Sequence, residues 1–174
     1  MDRKIDVIEG LNGKKIVVIH DIRFKGKTRV EWDEVENLLK EYVGKHYEII
    51  ENSDAVYIGK EFPDEFTHGN DKMTLKGPNL KAKANASLAI GELIEISTNK
   101  SMSPDYDGRH GKKAAGGWYR YDTRIAIPIY DNAGNLDSYN VYKMRMLVRK
   151  DDDGKMFLYD FLHTKKEKGT NSPL

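Results

Sequence analysis

The chain has 174 residues, 39% hydrophobic and 33% charged, with a formal net charge of +1, the balance of a globular protein long enough for one core or two small lobes. It has no cysteine, which excludes disulfides, thiolate zinc sites and cysteine nucleophiles together. No apolar run reaches membrane-crossing length and the first residues lack the apolar centre of a signal peptide, so a cytoplasmic protein with no membrane partner is expected.

The first strand signal is the β-branched run Ile16, Val17, Val18 and Ile19. Beyond a basic connector, Trp32, Val35, Leu38, Leu39, Tyr42 and Val43 fall at helical spacing, and Gly44 stands where a left-handed cap would stop the helix. Residues 47–51 and 55–60 read as a hairpin about Asn52, Ser53 and Asp54, whose side chains favour turns. These elements predict a small β-α-β-β lobe over 1–62. Residues 63–79, rich in Pro, Gly, Asp and Asn, read as an irregular connector. Ala82, Ala86, Ala89, Leu93 and Ile96 then predict one long helix over 80–100, with a possible bend at Gly91 because glycine costs about 1 kcal/mol in a helix.

The remainder predicts an antiparallel meander. Thr123, Ile125, Ile127 and Ile129 alternate with polar or small residues, 138–149 and 156–163 form further strands, and turns fall at 131–135 and 151–155. Pro128 favours an edge or bulged position, because it cannot donate to a ladder. The tail, 165–174, is charged and expected to fray. The fold class expected is therefore α+β: the N-terminal lobe, a connector, and a lobe over 80–174 with a long helix and a three- to four-stranded antiparallel meander.

The most concentrated chemical signal lies at 108–124, where five Arg or Lys stand against one Asp. His110 lies inside this cluster, Gly108, Gly111, Gly116 and Gly117 let the backbone approach a ligand, and Trp118, Tyr119 and Tyr121 offer ring faces. Cations, an imidazole and rings suit a phosphodiester substrate. The plain alternative is a solvated loop leading into a core strand. In the next strand Tyr142, Met144, Met146 and Val148 form the apolar set, so Lys143, Arg145 and Arg149 point away from the core, where Arg124 would complete a cationic platform.

Other motifs fail. Gly26-Lys27-Thr28 lacks the glycine of a phosphate-binding loop at position 21, which is Asp21. Asp151, Asp152 and Asp153 lack the spacing and terminal Glu of a calcium loop. His20, His46, His68, His110 and His163 show no paired metal spacing, leaving only a mixed site of distant residues, and no metal or cofactor is expected. No nucleophile elbow of a serine hydrolase is present.

Leu75-Lys76-Gly77, the stretch from Ala82 to Ala86, Glu92 to Ile96, Gly117-Trp118-Tyr119-Arg120-Tyr121-Asp122-Thr123-Arg124, Tyr139-Asn140-Val141 and Leu158-Tyr159-Asp160 resemble proteins of clostridial mobile elements that carry large polyvalent protein-associated domains. The resemblance covers about 75–174. A helix followed by a meander is also similar in layout to the barnase, EndoU and RelE ribonucleases, which are metal-independent, though no complete catalytic motif of theirs is matched. The similarity implies a mobile-element protein acting on nucleic acid, most concretely an endoribonuclease attacking through the ribose 2′-hydroxyl. In that expectation His110 is general acid or base, Lys112 and Lys113 stabilise the phosphate, Arg124 clamps an oxygen, Tyr121 positions the attacking group and His163 is a second imidazole. Arg109, Lys113, Trp118, Tyr119, Arg120, Lys143 and Arg145 would bind the nucleic acid. Two alternatives stay open: a non-catalytic counter-defence inhibitor that binds a host nuclease or its RNA, which the near-neutral total charge favours, and a structural accessory that oligomerises through a sheet edge.

Overall fold

The computed structural model describes residues 5–10, 13–105 and 108–167; most of the predicted tail lies outside the described residues. The strands are β1 (Ile5–Glu9), β2 (Lys15–Ile19), β3 (His46–Glu48), β4 (Ala55–Tyr57), β5 (Thr98–Ser103), β6 (Gly117–Tyr130), β7 (Leu136–Lys150) and β8 (Met156–Lys166). The helices are α1 (Trp32–Lys40), α2 (Phe62–His68), α3 (Asn70–Thr74), α4 (Gly77–Ala86) and α5 (Ile90–Glu95), with a 3₁₀ turn at Gly111–Ala114.

The long antiparallel hairpins β6-β7 and β7-β8 form the frame. Each begins at the same device: Asp131 Oδ1 accepts from the amides of Ala133 and Asn135, and Asp151 Oδ1 from those of Asp153 and Lys155. Gly134 and Gly154 supply the positive φ that closes each turn. The three consecutive aspartates are thus a turn. Onto this frame β2 adds in parallel at Ile125 and Ala126, β5 antiparallel at 118–122, and β4 in parallel beside β8. The path β1-β2-β6-β7-β8-β4-β3, with β5 beside β6, makes one eight-stranded sheet. Pro128 lies beyond the reach of β2, whose register stops at Ala126, so its missing amide costs no ladder bond there.

This architecture corrects the expected fold class. The protein is a mixed α/β fold, without a long helix leading into a three- to four-stranded meander; the meander is the centre of a larger mixed sheet. The predicted helix over 80–100 is two short helices and a strand. Ser87 donates its hydroxyl back to the Ala84 carbonyl at 2.6 Å while the Tyr42 hydroxyl donates to the Ser87 carbonyl, so α4 ends there and Ala89 leaves helical geometry. The interruption falls at 87–89 and not at Gly91. That glycine instead lets α5 lie against β3, since a β-carbon would run into the Tyr47 ring. The expected irregular connector holds α2 and α3, with Pro63 in the first turn of α2. Phe62 and Phe66 of α2 pack edge-on against Phe161.

All the helices that contribute to the main core lie on one face of the sheet. One buried cluster takes in Val17, Val35 and Val56 together with Leu93, Tyr121, Met146 and Phe161. Asn85, fully buried, ties the β2–α1 connection to α4: its Oδ1 accepts from the amides of Arg23 and Phe24, and its Nδ2 donates to the carbonyls of Phe24 and Lys81. Gly91→Ala, which overpacks the α5–β3 contact, is expected to destabilise by about 1–3 kcal/mol, read as a lower urea midpoint at unchanged slope.

Candidate functional site

The opposite face of β6 and β7 carries the charged chemistry. Alternation places Trp118, Arg120, Asp122 and Arg124 of β6 on that face, paired in register with Arg149, Leu147, Arg145 and Lys143 of β7. Two small apolar clusters bracket the charges. Trp118 and Leu147, under Ala114 of the 3₁₀ turn, form one; Ile16, Val18, Ala126 and Val141 form the other.

Between them, at the edge of the sheet, is a cavity of about 590 Å³ whose lining runs from Lys14, Lys15, Arg124, Lys143, Arg145 and His163 to Ile96 and Met144 of the main core. Five cationic side chains face two carboxylates, Asp122 and Glu167, so the cavity carries +3 with His163 neutral. It opens where β2 and β5, both paired to the same edge of β6, leave a gap between them. Arg124 grips Glu167 with two parallel bonds, Nε to Oε1 at 2.8 Å and Nη2 to Oε2 at 2.6 Å. Its third nitrogen, Nη1, is buried without a hydrogen-bond partner among the described residues. A donor left in that state costs about 1–3 kcal/mol, so an added anion acceptor there is favourable. Arg145 lies 3.7 Å from Asp122, a partly exposed pair worth little by itself.

The predicted site residues divide into three groups. Arg124, Lys143, Arg145 and His163 come together in the cavity, so the cationic platform and the second imidazole share one site. His110, Lys112, Lys113 and Trp118 do not line it. Six residues of strand separate Trp118 from Arg124, about 20 Å at about 3.3 Å per residue. There the His110 ring packs edge-on against Trp118 at 4.9 Å and Tyr159 at 5.6 Å, and the indole donates to Asp105. Lys113 pairs with Glu61 and its hydrogen bond holds that carboxyl below its usual range, while the Lys113 carbonyl accepts from Arg149. Lys112 and Arg109 are exposed, and the Lys112 carbonyl takes the amide of Asp152. Arg120 is held by Ser103.

Tyr119 and Tyr121 form the third group and face the core side. Tyr121 is fully buried; burial first, then its bond to Asp54 at 2.9 Å, pushes its phenol far above the usual range. It is a structural anchor, removed from the cavity. The Tyr119 ring lies under the Lys100 and Lys150 ammonium groups.

Sequence reasoning missed Lys14, Lys15 and Glu167, whose positions depend on where β2 enters and β8 ends. It also missed the buried centre behind the cavity. Lys83, fully buried, donates to Asp71 Oδ2 at 2.7 Å, Asp160 Oδ1 at 3.0 Å and the Phe161 carbonyl at 3.1 Å, with the Phe66 ring 4.7 Å away. All three ammonium protons are used. Burial, opposed by Lys83, raises the Asp160 carboxyl to about 7.

The structure also gathers Glu36, Asp64 and His68 across α1 and α2, with their possible ligand atoms within 4.8 Å, in an exposed group that holds no unpartnered buried ligand. No described helix is long and apolar enough to cross a membrane. No protein-family model, curated protein or solved structure matches the chain.

Because the folded pKa of Asp160 lies above its unfolded value near 4, the folded state holds the extra proton between about pH 4 and 7. The stability this group contributes is full below the unfolded value and is lost as pH rises through the folded one. The stability difference between wild type and Asp160→Asn, from urea unfolding across that range, is expected to shrink in the wild type's disfavour as pH rises.

Proposed function

We propose that the protein binds single-stranded RNA along the open face of its sheet and cleaves it without a metal ion in the Arg124–His163 cavity. What supports this reading is the gathering of five cationic side chains, one imidazole and one arginine-held carboxylate in a cavity of nucleotide dimensions. The cations bind phosphate oxygens and stabilise the charge that grows on a five-coordinate phosphorus. Glu167, oriented by Arg124, accepts the proton of the ribose 2′-hydroxyl as that oxygen attacks phosphorus. The bond to the 5′-oxygen breaks, and protonated His163 gives its proton to the leaving oxygen. The products are a 2′,3′-cyclic phosphate and a 5′-hydroxyl, and every proton is accounted for.

This assignment moves the chemistry away from His110. The outlying aromatic group at Trp118 is a secondary contact for the strand and no part of the reacting centre. The non-catalytic alternative, a protein that occupies RNA or a host nucleoprotein without turnover, is favoured by one observation: both oxygens of Glu167 already bond to Arg124. The mobile-element context implied by the sequence resemblance suits either reading.

Purified protein in excess chelator is expected to cut unstructured RNA, with cyclic phosphate ends on the products. His163→Ala should lower kcat by about 10²–10⁴, the range for loss of a general acid, while His110→Ala stays near wild type. Tight RNA binding with no turnover in wild type would replace cleavage with the binding reading, and neither binding nor cleavage would remove both.

A further inference from the structure

His163 stands in an unusual place for an exposed side chain. Lys143 pairs with Lys165 and Arg145 with Leu162, so His163 and Thr164 together stand opposite Met144 and form a β-bulge. At the bulge His163 has φ +58°, a left-handed conformation that a β-carbon disfavours. A bulge re-aims the side chain it carries, and here the residue lines the cavity.

The conformation is held from behind. Asp71 is 5% exposed, and its two carboxylate oxygens have separate tasks. Oδ1 accepts the backbone amide of His163 at 2.8 Å, an amide that the bulge removes from the regular ladder, and Oδ2 takes the Lys83 ammonium at 2.7 Å. Lys83 is itself fixed by Asp160 and the Phe161 carbonyl, three and two positions before the bulge on β8. The connected groups therefore run from α4 through α3 to the histidine backbone, with no exposed member before the imidazole.

We propose that Asp71, anchored by buried Lys83, is the positioning residue that sets the His163 imidazole in the cavity. Its catalytic consequence rests on the ribonuclease reading; its structural consequence does not. Asp71 is placed to touch no substrate atom, and the Oδ1 that accepts the His163 amide also lies 4.0 Å from His163 Nδ1, so it faces the imidazole as well as the backbone. It specifies the backbone geometry from which the imidazole is presented, and Lys83 keeps the carboxylate from rotating away.

The test compares wild type with Asp71→Ala and Asp71→Asn, measuring hydrogen-exchange protection of the His163 amide together with kcat and KM on RNA in chelator. Asp71→Ala is expected to abolish most of the amide protection and lower kcat by about 10²-fold, the scale of a misplaced catalytic group, with KM nearly unchanged. Asp71→Asn keeps an oxygen to accept the amide, so protection and most of kcat should return. If Asp71 only neutralised Lys83, the asparagine variant would fail as the alanine variant does, and that result overturns the proposal even where Asp71→Ala does not fold. A folded Asp71→Ala protein with unchanged amide protection overturns it as well. Absence of turnover in wild type refutes the ribonuclease reading alone, and the His163 amide then decides the role of Asp71.

Discussion

The buried Lys83 ammonium is the constraint around which the C-terminal half is arranged. An ammonium removed from water costs several kcal/mol and is tolerated only when its protons are all met, here by Asp71, Asp160 and the Phe161 carbonyl. Those acceptors come from α3 and β8, so meeting the requirement fixes α4, α3 and the end of β8 relative to one another. Removing one partner from such a pair costs about 3–5 kcal/mol, which makes the arrangement close to all-or-none. Burial is the main reason that Asp160 holds its proton up to about pH 7; Lys83 opposes it, and the second carboxylate, Asp71, adds a smaller push in the same direction.

The cavity on the other face depends on the same geometry. The β8 bulge that brings His163 to the cavity is separated from Phe161 by one residue, and Asp71 closes it by accepting the His163 amide. Further along, β8 ends so that Glu167 meets Arg124, whose neighbours Lys143 and Arg145 stand across the β6-β7 ladder. The α-helices cover the core face, and among the described residues the charged face is covered at its Trp118 end by the 3₁₀ turn. The wet, basic face and the gap in the sheet edge are the surface on which the proposed phosphate chain would lie.

The parts of this arrangement that could be read in the sequence were those with short-range signals. The β6, β7 and β8 strands follow from period-two alternation and two Asp-to-Gly turns, and the outward direction of Lys143 and Arg145 follows from the apolar set Tyr142, Met144, Met146 and Val148. The helix break at 87–89 was hidden because Ala86, Ala89, Leu93 and Ile96 continue the helical stripe across it, and Thr98–Ser103 carries no apolar alternation to mark β5. Short α2 and α3 depend on tertiary packing that composition does not show. Lys83 between alanines reads as a solvated position, and nothing local tells that Asp71 and Asp160 will meet it. The basic loop at 108–113 has the chain's densest positive charge in sequence, yet Lys113 pairs with Glu61 and the His110 ring packs against Trp118 and Tyr159.

On the proposed reading the cavity, and not the basic loop, receives the phosphate chain. Amide and side-chain NMR shifts of labelled protein titrated with a short single-stranded RNA test it most directly. The largest changes are expected at Arg124, Lys143, Arg145 and His163. Changes confined to His110, Lys112, Lys113 and Trp118, with the cavity residues unmoved, would contradict it.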